Sequence, residues 1–451
     1  MSRNIMQKSK PKILIISSAN PTSGPGVLAN DSLTAFRQMG LEADLLTLNR
    51  IDTHHDFLYV QDNLTFWGQL RHKISRLHPY YLRQRFFNNL QPKGSYGFFY
   101  REDQKPPIRS SEVLKKIKKN YDLVVIFFWQ GMLSYRTIEE IYDKLHCVFR
   151  FNMVDYSPMS GGCHFTGNCE GYQHACGCCP AFESKDPNDF THQNVIYRER
   201  VLKKVAPIIT GNSYQFGFYE KSFLLHEAYR VMSFPIIDTD KFSPKNKSAL
   251  RKKYGIDNLK KHLILFGSQN INDERKGISY LVEALQKLSR MLSEKMCSEV
   301  LLVAIGNDFD KLKPLLPANI DSLGLGFVSK DELPEVYSMC DMYLCSSVND
   351  AGPMMVNQSL CCGTPVVGFA MGACLDSVKD KGTGYCAKLK DSTDFANGIY
   401  EILNMDDAEK QLMSERCRKL AVDNYSLEAS ANRTIRQYYE YLELKKVIKK
   451  H

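Results

Sequence analysis

"DMYLCSSVNDAGPMMVNQSLCCGTPVVGFAMGA" spans Asp341–Ala373 and carries the fold reading. A short apolar run ends at Ser347, and a loop follows with Asp350, Gly352 and Pro353. A helical stretch then carries Gln358, and Gly363-Thr364-Pro365 turns the chain into a second apolar run, "PVVGFA" (Pro365–Ala370). Two buried-type strands joined through a helix run parallel, and such crossovers are right-handed.

The same alternation extends in both directions. "HLILFGS" (His262–Ser268) and "EVLLVAIG" (Glu299–Gly306) read as strands, and Ile278, Leu281, Leu285, Leu288 and Leu292 recur at helical spacing between them. "KILIISS" (Lys12–Ser18), "EADLLTLNR" (Glu42–Arg50), "DLVVIFFW" (Asp122–Trp129), "CVFRFN" (Cys147–Asn152) and "VAPIITGN" (Val205–Asn212) form an earlier set. A Pro- and Asp-rich stretch, "SFPIIDTDKFSP" (Ser233–Pro244), separates the two sets. The fold expected is α/β, two Rossmann-like domains facing a cleft, with ligands at the carboxyl ends of the strands. The boundaries expected are 1–240 for the first domain and 241–427 for the second, with a cysteine-rich insert at 155–182. A last helix, 428–451, crosses back to the first domain with Ile435, Tyr439 and Leu442 on one face.

Composition narrows the class. A 451-residue chain with 43% hydrophobic and 24% charged residues is that of a soluble globular protein of about two domains. The apolar run near the N-terminus is too short for a signal peptide, and no stretch is long enough to span a membrane. The expected location is the cytoplasm, where the 14 cysteines are free, buried or metal-bound rather than paired. Phe66–Arg101 has no acidic residue and interleaves seven Lys/Arg with ten aromatics. It reads either as a solvated face over an aromatic cluster or as a surface for anionic lipid headgroups. No nucleic-acid-binding motif accompanies these charges, so nucleic acid is not an expected partner.

Chemistry concentrates at strand ends. Gly24 and Gly26 follow the first strand and open a helix, so backbone N–H groups there point at an anion. This is not the G-x-G-x-x-G fingerprint, and no acidic residue ends the second strand, which argues against a dinucleotide dehydrogenase. Arg275 and Lys276 stand at a helix N-terminus, where two cations suit a diphosphate. Asp350 is suited to ordering sugar hydroxyls and Gln358 to bonding a ribose diol. Cys163, Cys169, Cys176 and Cys179 follow a C-x5-C-x6-C-x2-C spacing that reads as a structural zinc site. Buried free thiols, a labile Cys163–Cys169 disulfide and an iron–sulfur cluster are the other readings of the same four. Asp155 and His164 lie just past a strand end, beside Gly161–Gly162, as contacts for a transferring sugar or its diphosphate. A histidine in this position is otherwise structural.

In order and spacing, "RKG" at Arg275–Gly277 and "CGTPVVGF" at Cys362–Phe369 resemble the donor domain of retaining glycosyltransferases of family 4, which have the GT-B fold. "FFWQGMLS" (Phe127–Ser134), "PMSGGCHFTGNCEGYQHACGCCP" (Pro158–Pro180) and the linker at Ser233–Pro244 are similar to segments of the bacterial polysaccharide-type subgroup. Asp350-x7-Gln358 stands where that family usually has two glutamates, and Ser268 stands where it has an arginine. The resemblance implies a nucleoside-diphosphate-sugar donor held by Gly24, Gly26, Ser268, Arg275, Lys276, Gly306, Gly352 and Gln358, and catalytic roles for Asp155, His164 and Asp350. It implies a hexosyl transfer with retention to a glycan or lipid-linked acceptor, in cell-surface polysaccharide synthesis. It implies no cofactor required for catalysis; the zinc reading rests on the cysteine spacing, and a peripheral place on the anionic inner membrane face on Phe66–Arg101. A nucleotide-sugar-binding pseudoenzyme is one alternative. The other is a different two-domain Rossmann sugar-nucleotide enzyme, disfavoured by the absence of a suitably placed Tyr-x3-Lys.

Overall fold

In the computed structural model, residues 10–22, 24–53, 56–79, 106–268, 270–378 and 382–448 are described. All five residues of β1 (Ile13–Ser17) are buried, because helices cover both faces of the sheet it centres. With β2 (Ala43–Asn49), β3 (Leu58–Gln61), β4 (Leu123–Ile126), β5 (Val148–Phe151), β6 (Ile208–Gly211) and β7 (Arg230–Met232) it forms one sheet of order β3-β2-β1-β4-β5-β6-β7. Every neighbouring pair is parallel. The second sheet has order β10-β9-β8-β11-β12-β13, again all parallel. Its strands are β8 (His262–Gly267), β9 (Val300–Ile305), β10 (Asp321–Gly324), β11 (Met342–Cys345), β12 (Val366–Phe369) and β13 (Gly384–Ala387).

Both orders reverse direction once, between β1 and β4 and between β8 and β11. In such doubly wound sheets the two loops leaving the strands at the reversal part to opposite faces and open a crevice between them. The register makes the strand ends flush: Leu344 of β11 pairs with Phe266 of β8, and Gly267 pairs with Ile305 of β9. The loops after Gly267, Ile305 and Cys345 therefore emerge side by side.

The chain divides into two compact units. The first comprises Met1–Gly211, Gln215–Ser233 and Ser430–His451; the second comprises Asn212–Tyr214 and Phe234–Ala429. The expected division at 240/241 thus falls at Ser233–Phe234, and the last segment joins the first unit at Ser430 rather than 428. The core of the first unit gathers Leu14, Val124, Ile126, Phe149 and Phe151; that of the second gathers Leu265, Val303, Leu344 and Val367.

Several expectations need correction. β4 stops at Ile126, so Phe127–Trp129 belongs to the loop that follows. The cysteine-rich stretch is not a self-contained insert. It lies in the crossover between β5 and the helix Phe190–Val205, and it sends Tyr156, Met159, Phe165 and Tyr172 into the unit's core. The last helix, Leu427–Ile448, buries Gln437, Tyr438, Tyr439 and Tyr441, while Ile435 and Leu442 are only half-buried. Of Phe66–Arg101, residues 80–101, with Arg83 and Arg85, lie outside the described residues. The described part forms the helix Phe66–Ser75, which buries none of its side chains; Phe66 and Trp67 are each 72% exposed. Among the described residues no helix is long and apolar enough to cross a membrane.

The last helix is held to the first sheet by a buried polar chain. Arg150 of β5 is 2% exposed, and its Nη1 donates to Gln437 Oε1 at 2.8 Å. Gln437 Nε2 in turn donates to the carbonyl of Met232 in β7 at 2.9 Å. Gln437→Ala strips a buried guanidinium of an acceptor and should destabilise the first unit by about 1–3 kcal/mol. Chemical denaturation of the full chain measures this, and a change within a few tenths of a kcal/mol would show that the chain of bonds does not hold the helix.

Candidate functional site

At the reversal of the second sheet, the helix Ile278–Met291 is entered through a single 3-10 turn, Glu274–Lys276. Asp273 caps that turn by accepting from the Arg275 backbone N–H at 3.1 Å. It also binds the Arg275 guanidinium in a fork, with Nε at 3.0 Å and Nη2 at 2.6 Å. One of the two expected cations is thus folded back on its own turn. Gly277 then reverses the chain at φ +61°, and a Cβ there would lie 2.0 Å from the carbonyl oxygen of Ser346. Ser346 Oγ donates to the Lys276 carbonyl at 2.8 Å, and the Val348 N–H donates to the Arg275 carbonyl at 2.7 Å. The β8 and β11 loops are in this way joined along their backbones.

That junction places Lys276 Nζ 2.7 Å from Asp350 Oδ2. The other carboxylate oxygen accepts from the Gly352 N–H at 3.1 Å. Burial opposes the charge on Lys276, but Asp350 more than offsets it and holds the ammonium above its ordinary range. Gly306 stands at the end of β9 at φ +120°, with its N–H on the Gly326 carbonyl at 2.8 Å. Ser268 stands at the end of β8; its N–H reaches the Ile305 carbonyl at 3.1 Å and its hydroxyl the Asn270 carbonyl at 3.0 Å. Lys276, Asp350 and Gly352 are brought together, with Ser268 and Gly306 on adjoining strand ends. Gln358, half-buried on the helix Met354–Cys361, instead accepts from the Tyr337 hydroxyl at 3.1 Å. Gly277 and Ser346 were not among the expected site residues. A glycine directly after two cations at a helix start was the available signal.

The reversal of the first sheet carries a second cluster. The Ser18 N–H, just past β1, donates to the Phe128 carbonyl at 2.7 Å, and its hydroxyl to the Gln130 carbonyl at 2.8 Å. Gln130 Nε2 donates to Asp155 Oδ2 at 2.9 Å and to Ser157 Oγ at 2.7 Å. Asp155 is 2% exposed and also accepts from the Ser157 N–H at 2.8 Å. His164 Nδ1 lies 2.9 Å from Asp155 Oδ2, and the His164 side chain is 22% exposed. The carboxylate is buried, and the histidine is the member of the pair that solvent reaches. Gln130 was missed, since a single amide in a loop carries no pattern. Gly24 is exposed at φ +49°, at the entrance to the helix Pro25–Gln38. A Cβ on Gly26 would lie 2.0 Å from the Asn20 carbonyl oxygen, so that glycine answers to a close backbone approach.

Cys163, Cys169, Cys176 and Cys179 line one small cavity of about 30 Å³, and all 14 cysteines are free thiols. Among the described residues no group of three or more His, Cys, Asp or Glu side chains is already set to hold a metal ion. Burial pushes the Cys163 and Cys176 thiols up to about 12 and raises that of Cys179.

Residues 246–420, within the second unit, match the family described as glycosyl transferases group 1. The chain is similar to N-acetyl-alpha-D-glucosaminyl L-malate synthase of Bacillus anthracis, at 24% identity over 207 residues, covering 46% of this chain and 52% of that protein. It is similar to D-inositol 3-phosphate glycosyltransferase of Stackebrandtia nassauensis, at 26% identity over 233 residues, covering 48% of this chain and 50% of that protein. The chain spans about half the length of the curated relatives it matches. In fold it is similar to sucrose-phosphate synthase from Thermosynechococcus elongatus, with TM-score 0.65, 15% identity, and 97% and 100% of the two chains covered. It is likewise similar to HepE of Anabaena in complex with UDP and glucose, with TM-score 0.59, 14% identity, and 95% and 100% covered. At these identities the likeness is one of fold: two Rossmann-like parallel sheets, the GT-B architecture of glycosyltransferase structures.

Gly277→Ala should be far more harmful than an ordinary left-handed glycine replacement. Gly255 adopts a similar φ of +66° with nothing within 4 Å of an added Cβ, so Gly255→Ala isolates the backbone cost of about 1–2 kcal/mol. Gly277→Ala adds the collision with Ser346, and denaturant unfolding should show it as the less stable of the two. Equal stabilities would mean that the loop junction yields easily.

Proposed function

We propose that this chain is a retaining glycosyltransferase of family 4. It moves a hexosyl group from a nucleoside-diphosphate sugar to a glycan or lipid-linked acceptor in cell-surface polysaccharide synthesis, working in the cytoplasm at the inner membrane face. The observation that carries the reading is the Lys276–Asp350 pair, fixed at the reversal of the second sheet. Lys276 has three N–H donors and Asp350 takes one. The others suit a diphosphate oxygen, as do the first N–H groups of the helix Ile278–Met291. Charge builds on the leaving diphosphate as the bond from the anomeric carbon to its phosphate oxygen breaks, so a fixed ammonium there lowers the barrier. The acceptor oxygen bonds the anomeric carbon on the same face, and its proton passes to the departing phosphate oxygen. Retention then needs no carboxylate nucleophile. In this reading Gln358 meets the donor's ribose, and Asp155 steadies His164 for contact with the transferring sugar.

The names of the matched relatives favour a second reading of the acceptor, in which it is a small soluble anion: one is an N-acetyl-alpha-D-glucosaminyl L-malate synthase, the other a D-inositol 3-phosphate glycosyltransferase. An acceptor panel with UDP- and GDP-sugars separates the readings. Anomeric stereochemistry of the product, read by NMR, tests retention, and inverted product would overturn it.

Lys276→Ala should weaken nucleoside diphosphate binding about 10- to 100-fold, the loss of one charge-assisted hydrogen bond. Calorimetric affinity equal to that of the parent would remove Lys276 from the donor site.

For the membrane, the helix Phe66–Ser75 presents Phe66, Trp67 and Ile74 to solvent beside Arg71 and Lys73. Basic residues near an anionic leaflet contribute about 1 kcal/mol each, and salt screens them, whereas inserted rings resist salt. Replacing Arg71 and Arg76 by glutamine should weaken binding to phosphatidylserine vesicles while leaving donor hydrolysis unchanged. Equal binding of parent and variant to anionic and neutral vesicles would count against a membrane-bound acceptor.

A further inference from the structure

Five of the 14 cysteines fall between Cys163 and Cys179. Four of these line a single cavity of about 30 Å³, while the fifth, Cys178, is exposed and stands outside it. The sequence separates the four by up to sixteen positions, so their convergence is a product of the fold. Their surroundings are specific to sulphur. The Gly161 N–H donates to Cys176 Sγ at 3.3 Å, and the Gly171 N–H to Cys169 Sγ at 3.4 Å. The Arg198 guanidinium is 2% exposed and donates to the carbonyl of Ser160, which lines the same cavity. A neutral thiol is a weak acceptor and gains little from such donors. A thiolate gains from each of them.

The segment is also firmly mounted. Cys179 N–H donates to Asp189 Oδ2 at 2.9 Å, and Gly177 N–H to Thr191 Oγ1 at 3.2 Å, at the start of the helix Phe190–Val205. A Cβ on Gly177 would lie 2.1 Å from the Pro187 carbonyl oxygen. The turn that holds Cys176 and Cys179 apart by two residues is therefore pinned on both sides.

We propose that Cys163, Cys169, Cys176 and Cys179 bind one Zn²⁺ as thiolates, forming a closed structural site. Four sulphur ligands select a soft or borderline ion, and a tetrahedral S₄ set leaves no open position for a substrate. Around that cavity the four sulphurs do not yet stand at metal-holding distances, so zinc–sulphur bonds of about 2.3 Å require them to move inward. Binding releases four thiol protons to the buffer and leaves two net negative charges, against which Arg198 stands as the nearby cation. The inference rests on the first unit alone and is independent of the proposed transferase activity.

Elemental analysis of the full chain, purified under reducing conditions without added chelator, should find about one zinc per chain and no stoichiometric iron. Cys178→Ser should keep that zinc. Cys176→Ser with Cys179→Ser should lose it. Because the double variant could also misfold, the parent is tested directly: stripping its zinc with a strong chelator should lower its melting temperature, and returning zinc should restore it. Cobalt exchanged into the parent should give the visible absorption of a tetrahedral thiolate complex. Any of four results overturns the proposal: folded parent with all four thiols reactive and no zinc, stoichiometric iron, a Cys163–Cys169 disulfide by mass spectrometry, or zinc retained by the double variant.

Discussion

Two loops share one position in the second unit only because Gly277 has no side chain. The Ser346 carbonyl lies 2.0 Å from where a Cβ would stand, so no other residue permits the approach. From that approach follow the hydrogen bonds of Ser346 Oγ to the Lys276 carbonyl and of Val348 N–H to the Arg275 carbonyl. Because both strands end flush at the sheet's reversal, the junction occurs where a doubly wound fold opens its crevice. Lys276 reaches Asp350 because the backbones have already met, and the short aspartate side chain spans the remaining gap. The electrostatics of the site thus depend on a steric allowance one residue away.

The first unit solves a different problem. Asp155 is a buried carboxylate, and such a group is tolerated only when its lone pairs are taken. The side chain of Gln130 and the N–H of Ser157 donate to it, the ring of His164 lies 2.9 Å away, and Ser18 ties the Gln130 loop back to β1. Three successive strand ends, those of β1, β4 and β5, are linked through a few polar groups. Arg198 does comparable work on the next crossover, donating to the Ser157 and Ser160 carbonyls with its guanidinium over the Tyr135 ring at 5.0 Å. The loop that bears His164 and Cys163 is held by this polar frame as well as by apolar packing.

What could be read from the sequence follows the same physics. Central strands such as β1, β4, β8, β9 and β11 are covered on both faces and announce themselves as apolar runs. The edge strands β3 and β10 contain no fully buried residue, and with β7 and β13 they passed unseen. The last helix misled because its packing face includes Gln437, a polar residue buried to satisfy Arg150. Position at a strand end sufficed to place Lys276 and Asp350, and Asp155 and His164, near each other. It did not show that the side chains of Arg275 and Gln358 meet Asp273, two residues back, and Tyr337, across a helix pair. Adjacency to a strand end is written in the sequence; the partner that captures a long side chain is not.

The side chains at positions 350 and 358 act differently in this geometry. At position 350 the shorter carboxylate is held at both oxygens, by Lys276 and by the Gly352 N–H, so it is rigid without the extra methylene. At position 358 the amide oxygen accepts from Tyr337 as a carboxylate oxygen could, so that bond does not require a charge. With Asp350 alone the pair it forms with Lys276 is neutral overall. The ring of Tyr337 is fully buried and the amide half-buried, so neither gains the solvation a carboxylate there would require. Glutamine at 358 therefore keeps the hydrogen bond that orients the side chain.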